Sequence, residues 1–100
     1  MMKSGSRLES QVCDTQVIVI RATDALAGLC CGGAPMVALG DEKSAGAVLD
    51  PGFAAGATLG KRYVHDSGAE ILVTRGGAGT LAVDGAPLGV KNAKPLPASD

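Results

Sequence analysis

Four side chains in the 100-residue sequence are of types that bind metal ions: Cys13, Cys30, Cys31 and His65. Thiolate sulfur and imidazole nitrogen both suit zinc, so the four together would form a Cys₃His site. Cys30 and Cys31 are adjacent, within the segment LCCGGAPM at residues 29–36. A neighbouring pair without a CxxC partner favours a plainer interpretation, in which the thiols are small apolar side chains buried beside a turn. We therefore expect no cofactor, with zinc or iron, held by one chain or shared by two, as the alternative.

A second candidate surface centres on His65. Next to Asp66, this imidazole could act as a general base or as a ligand oriented by a carboxylate. The alternative is an exposed polar turn, since the sequence shows no nucleophile to go with it. Lys61 and Arg62 could present a basic face to a carboxylate or a CoA-like ligand, or could keep a strand edge from pairing. With Tyr63, they and Asp66 form a possible ligand or partner surface, and we assign no catalytic residue.

Composition limits the classes of partner. The net charge is −1 and the two aromatic residues are Phe53 and Tyr63, so the clustered cations and stacking surfaces of nucleic-acid binding are missing. The apolar run at 17–20 is too short to cross a bilayer, and residues 1–11 lack the apolar segment of a secretory signal. We expect a cytoplasmic protein with reduced thiols and no membrane contact. A core of small aliphatic residues leaves a thin stability margin, which favours a protein partner or a homo-oligomer.

Short apolar runs separated by glycine-containing turns predict an all-β domain. We expect a flexible arm over residues 1–15 and a single β domain over 16–100. Within that domain we expect one repeat at 16–39, a long Gly/Ala-rich loop at 40–60, a second repeat at 61–90 and an extended tail at 91–100. The GGAG segment at 76–79 predicts a tight turn that uses the freedom of glycine to adopt positive φ. A strand is expected to follow it, so a phosphate-binding loop, which requires a helix there, is not expected.

The two repeats are similar in sequence. Residues 16–36 read QVIVIRATDALAGLCCGGAPM, and residues 70–88 read EILVTRGGAGTLAVDGAPL. Each is a strand, a turn, a second strand, and then Gly-Ala-Pro followed by an apolar residue. One β-hairpin is marginally stable alone, whereas two can cover a shared core.

The repeat unit resembles desulforedoxin-type modules, small β domains that hold iron in four cysteine thiolates. Their pattern is a tyrosine, CxxCG, a hairpin with a Gly-rich turn, and then CCGxPM. The second copy is similar from Tyr63 to the Gly-Ala-Pro-Leu at 85–88. Its cysteine positions hold other residues, HDSG at 65–68 and Val83-Asp84. The resemblance therefore implies the fold without the iron site.

In the first copy the resemblance places the CxxC positions on Gln11 and Asp14. Aligned through Gly-Ala-Pro-Met, the cysteine pair falls on Cys31 and Gly32. Aligned through the strand, it falls on Cys30 and Cys31, with Gly-Ala-Pro-Met one residue too far along. Three cysteines cannot complete a four-thiolate cage within one chain. We therefore interpret the chain as two degenerate, metal-free desulforedoxin-like units packed together.

These observations predict a non-catalytic accessory subunit or binding module that acts through a protein partner. Strand edges and the loop at 40–60 would be its contact surfaces. The first alternative is a zinc- or iron-binding desulforedoxin-like protein, either an electron carrier or a structural metal module. The second is a small β-domain enzyme or ligand carrier with a site between the repeats, near Tyr63, His65 and Asp66.

Overall fold

The computed structural model describes residues 3–40 and 46–90, and these ranges form ten short strands in two antiparallel sheets. The larger sheet contains β1 (Arg7–Glu9), β2 (Gln16–Arg21), β5 (Val37–Ala38), β6 (Arg62–Val64), β7 (Glu70–Arg75) and β10 (Gly89–Val90). The smaller sheet contains β3 (Leu29–Cys31), β4 (Ala34–Pro35), β8 (Leu81–Val83) and β9 (Ala86–Pro87). Two 3₁₀ turns, Asp24–Gly28 and Pro51–Phe53, complete the described elements. The predicted all-β class is confirmed.

Strand order is symmetric in both sheets. The larger sheet runs β10-β6-β7-β2-β1-β5 and the smaller runs β4-β3-β8-β9. Exchanging β1–β5 with β6–β10 leaves both orders unchanged. The central pair of each sheet, β2 with β7 and β3 with β8, therefore joins the first half of the chain to the second. Neither half of the chain forms a complete sheet by itself.

The core draws residues from both sheets and is largely aliphatic. The alternation expected of a strand with one buried face is clear in β2, where Val17 and Val19 are buried, and in β7, where Ile71 and Val73 are buried. The same buried cluster also contains Leu8, Leu26, Leu29, Cys31, Met36, Ala57, Tyr63, Ala69, Leu81 and Val83. The core is thus built mainly from Val, Leu, Ile and Ala.

Residues 7–9, which the sequence places in a flexible arm, form the inner strand β1. It pairs with β2 on one side and β5 on the other, and Leu8 is only 4% exposed. The three-residue strand RLE contains a single apolar side chain, so no alternation signals it. The arm prediction for residues 7–15 is corrected accordingly. The tail predicted at 91–100 and residues 41–45 of the predicted loop lie outside the described residues.

Two hairpin turns use positive φ. Gly32 and Gly33, with φ of 67° and 88°, join β3 to β4, and Asp84 and Gly85, with φ of 50° and 83°, join β8 to β9. Two-residue turns with both residues at positive φ match the twist of the strands they connect. Asp84 tolerates this region because its short polar side chain is among those that adopt it most easily.

The described part of the predicted loop at 40–60 is anchored to the sheets. The backbone N–H of Asp50 donates to Gly32 O at 2.9 Å, and its carboxylate accepts from the N–H of Gly52 at 2.8 Å, which starts the second 3₁₀ turn. Farther along, Ala57 forms an isolated bridge with Gly77. Among the described residues, no helix has the length and apolar character needed to cross a membrane.

Candidate functional site

The structure brings two thiols together. Cys13 lies in the loop between β1 and β2, and Cys31 ends β3. Their Sγ atoms are 3.8 Å apart. Cys31 is fully buried, while Cys13 is partly exposed. This thiol pair joins loop and strand at the rim of the core.

A tight loop closed by Ser10 holds Cys13 in place. The Ser10 N–H donates to Thr15 O at 2.9 Å, and Ser10 Oγ accepts from the N–H groups of Val12 and Cys13, both at 3.1 Å. Ser10 and Thr15 have no exposed surface. Buried hydroxyls normally have partners, and these two also flank the Cys13 sulfur, at 3.3 Å for Ser10 Oγ and 3.2 Å for Thr15 Oγ1.

The GGAG segment of the second half covers the thiol pair. The N–H of Gly79 donates to Cys13 Sγ at 3.3 Å. A Cβ on Gly79 would lie 2.9 Å from Cys31 Sγ, and one on Gly77 would lie 2.6 Å from the Thr15 backbone nitrogen. None of the glycines in this segment has positive φ, in contrast to the expectation for a tight turn. Glycine is required here because two backbones approach closely.

The pKa values of the two thiols are shifted in opposite directions. Burial alone would raise the pKa of Cys13, but hydrogen bonds from the Ser10 and Thr15 hydroxyls and from the backbone at Thr15 and Gly79 outweigh it, lowering that pKa from 9.0 to about 7. As a thiol, Cys13 donates to Ser10; as a thiolate it can only accept, and the hydroxyl hydrogens can rotate toward it. Burial, with a further contribution from the nearby Cys13 charge, raises the pKa of Cys31 to about 11.

Cys30 lies apart from this pair. Successive side chains of a strand point to opposite faces, so Cys30 cannot share the position of Cys31. Its Sγ approaches Gly28 O at 3.6 Å. Burial, reinforced by the negative charge of Asp84, raises the pKa of Cys30. The adjacent cysteines of the sequence therefore have different surroundings and different partners.

His65 is held within its own turn. The N–H of Ser67 donates to His65 Nδ1 at 3.0 Å, and Ser67 Oγ lies 2.8 Å from the same nitrogen. Within residues 3–40 and 46–90, no group of three or more His, Cys, Asp or Glu side chains is arranged to hold a metal ion. Of the four candidate ligands, the structure assembles only Cys13 and Cys31.

Gln11 and Asp14, the residues at the two positions expected to match CxxC, both lie in the loop between Ser10 and Thr15, and neither is a thiol. Ser10 Oγ accepts from the N–H groups of Val12 and Cys13 and from the Cys13 thiol, so its acceptor capacity is fully used. Cys13 and Cys31 supply two sulfurs, which are too few for a four-thiolate site.

The surface proposed around Tyr63 is not continuous. Tyr63 is 8% exposed and belongs to the core, and its hydroxyl accepts from the N–H of Thr58 at 3.1 Å. Arg62 forms an ion pair with Glu70 at 3.2 Å. Lys61 and Asp66 are exposed. The cations of this segment therefore flank a buried ring and do not line a cleft with it.

Sequence reasoning missed a pocket of about 500 Å³ in the first half of the chain. It opens between β1, the first 3₁₀ turn and β5, and its buried wall contains Leu8, Leu26 and Met36. Arg7, Asp24 and Ala38 of β5 also line it. No local sequence signal marks it, since its lining comes from three separated segments.

Comparison with protein-family models, with curated proteins and with solved structures finds no match to this chain. Its function must therefore be argued from the thiol pair, the pocket and the strand edges.

Proposed function

We propose that the protein is a non-catalytic binding module that acts through a protein partner. The observation that carries the proposal is the apolar pocket beside an edge strand. β5 ends the strand order of the larger sheet within the described residues, and its Ala38 also lines the pocket. An extended segment of a partner could pair its backbone with β5 and place an apolar side chain in the pocket, as in β-strand addition.

The pocket lies in the first half of the symmetric strand order. Leu8 is the middle residue of β1 and pairs with Val17, while Tyr63 is the middle residue of β6 and pairs with Ile71. The two strands exchange under the symmetry of the sheet. In the second half the large ring of Tyr63 fills the core and is capped by Thr58. Leu8, at the corresponding place in the first half, has a shorter side chain and lines the pocket.

The chemistry of the pocket indicates an apolar ligand group with a polar backbone beside it. Leu8, Leu26 and Met36 form the wall, and a pocket of this size is within the range that holds small apolar ligands. The lining includes one cation, Arg7, and one anion, Asp24, so the pocket does not select a charge of either sign. A partner segment with an aromatic or aliphatic anchor fits this arrangement, because such residues dominate the energy of protein interfaces.

We further propose that the scaffold is a tandem of two desulforedoxin-like units that have lost their iron ligands. The symmetric strand orders support a duplication. Ser10 and Cys13 have the spacing of the two cysteines in CxxC, and Cys31 lies close to Cys13. Both observations support a former ligand site of which two sulfurs remain. A partner-binding role on such a scaffold does not require the metal, and the donor set that is present does not fit it.

A photo-cross-linking experiment tests the proposal. A benzophenone amino acid is placed at Ala38 in cells that naturally make the protein, and the Ala27→Trp substitution fills the pocket. We expect one discrete cross-linked partner that Ala27→Trp abolishes and that the matched edge-strand control Ala86→Trp retains. Both variants must first unfold at the same temperature as the parent. A product that survives Ala27→Trp, or that forms equally from a cross-linker at the exposed Val48, would overturn the proposal.

A further inference from the structure

We propose that Cys13 and Cys31 are a redox-active pair in which a hydroperoxide oxidises Cys13 and Cys31 then closes an intramolecular disulfide. This inference is independent of the partner-binding proposal, because neither thiol lines the pocket and the event is a covalent reaction. It rests on three observations: the separation of the sulfurs, the unequal exposure of the two thiols, and the polar groups around one of them.

The separation of the sulfurs permits direct bonding. They are 3.8 Å apart, and a disulfide of about 2.0 Å requires them to approach by less than 2 Å. The pair bridges the loop after β1 and the end of β3, so closing it would tie two segments of the first half together. Cys30 is on the opposite face of β3 and does not compete.

Exposure assigns the two roles. Cys13 is partly exposed and can meet an oxidant as small as a hydroperoxide, whereas Cys31 is fully buried and lies next to the Cys13 sulfur. The first reacting group is therefore Cys13, and Cys31 is the resolving thiol.

The surroundings of Cys13 favour its anionic form. Two hydroxyls, on Ser10 and Thr15, and the N–H of Gly79 lie within 3.3 Å of its sulfur. Donors of this kind stabilise a thiolate, and the thiolate is the nucleophile. The low pKa of Cys13 and the high pKa of Cys31 agree with this division of roles. Such an arrangement is typical of redox-sensing cysteines, which are acidic, accessible and next to a resolving thiol.

The reaction balances in two steps. Cys13 ionises and gives its proton to solvent, and its thiolate attacks the outer oxygen of ROOH. The O–O bond breaks, and the released alkoxide takes up one proton from solvent, which leaves a sulfenic acid and ROH. The Cys31 sulfur then attacks the Cys13 sulfur, the S–O bond breaks, and the hydroxide leaves as water with the proton of the Cys31 thiol. One peroxide is reduced by two electrons, and the two thiols become one disulfide.

The test uses the full-length reduced protein and hydrogen peroxide. Intact mass spectrometry should show loss of two hydrogens, and a peptide map should show Cys13 joined to the segment that contains Cys31. The matched control Cys30→Ser should give the same loss. Cys31→Ala should instead stop at the sulfenic acid, which dimedone captures on Cys13. At pH 7.5 oxidation of Cys13 should be at least about tenfold faster than that of Cys30, since its thiolate fraction is far higher.

Three outcomes would overturn the inference. The first is a disulfide that disappears in Cys30→Ser, because Cys30 would then be the resolving residue. The second is formation of linked dimers in place of an internal bond. The third is a folded protein whose thiols are all still free for alkylation after peroxide treatment. Because Cys30→Ser leaves both reacting thiols in place, a folding defect in Cys31→Ala does not remove the test.

Discussion

Replacing Gly79 with alanine should destabilise the protein, because the new methyl group would enter a close backbone approach between its two halves. The added Cβ would lie 2.8 Å from Gly32 N, 2.9 Å from Cys31 Sγ and 3.0 Å from Gly32 Cα. Two of these atoms are backbone and the third is a buried sulfur, so none can swing away. Overpacking of this kind costs about 1–3 kcal/mol, and the reduced freedom of the unfolded chain offsets about 0.4–1 kcal/mol of it. We expect a net loss of about 1–2 kcal/mol by combining these two effects.

Urea unfolding followed by circular dichroism measures this loss. For a domain of this size, with a slope of about 1 kcal/mol per molar urea, the midpoint should fall by about 1–2 M. The matched control is Gly89→Ala in β10, where nothing lies within 4 Å of the added Cβ and φ is not positive. Its midpoint should be unchanged or slightly higher. Equal midpoints for the two variants would refute the close packing of Gly79 against Gly32 and Cys31.

Three further predictions concern the loop, the thiols and the buried ring. Ser10→Cys should bind zinc stoichiometrically in native mass spectrometry, because three sulfurs then converge. The control Ser67→Cys, in an exposed turn, should bind none. Zinc bound to both variants, or to neither, would contradict the geometry of the Ser10 loop. The pKa of Cys13 is about 7 in the folded chain and 9.0 in the unfolded chain, so the unfolded chain binds more protons between these two pH values. The contribution of Cys13 to the free energy of unfolding should therefore fall as the pH decreases from 9 to 7. That trend, measured by urea unfolding, should vanish in Cys13→Ser. Tyr63→Phe should cost about 1 kcal/mol in the same assay, since the Thr58 N–H loses its acceptor; no change would mean that water replaces the hydroxyl.

The parts of the fold that the sequence could predict are those set by local pattern. The short apolar, β-branched runs within residues 16–22 and 70–75 indicated the two long central strands, and Asp84-Gly85 indicated a two-residue turn. Both signals arise within a few neighbouring residues. β1 could not be predicted in this way, because a three-residue strand carries only Leu8 as an apolar marker and owes its existence to pairing with β2 and β5.

The candidate site depended on contacts that no local pattern encodes. The sequence identified Cys13 and Cys31 as chemically capable, but not that they lie 3.8 Å apart while Cys30 lies on the opposite face. Gly79 resembled a turn residue, although its role is to let the backbone of one half approach the sulfurs of the other.

The most direct test of the account is native mass spectrometry with elemental analysis of untagged protein, purified from its own cells without chelator. The account predicts a folded chain without stoichiometric zinc or iron, in a defined complex whose mass includes a partner and which Ala27→Trp dissociates while Ala86→Trp does not. About one zinc or iron per chain or per dimer would contradict it, and would restore the metal-binding alternative with Cys13 and Cys31 among the ligands. A metal-free monomer insensitive to either substitution would contradict the partner-binding role itself.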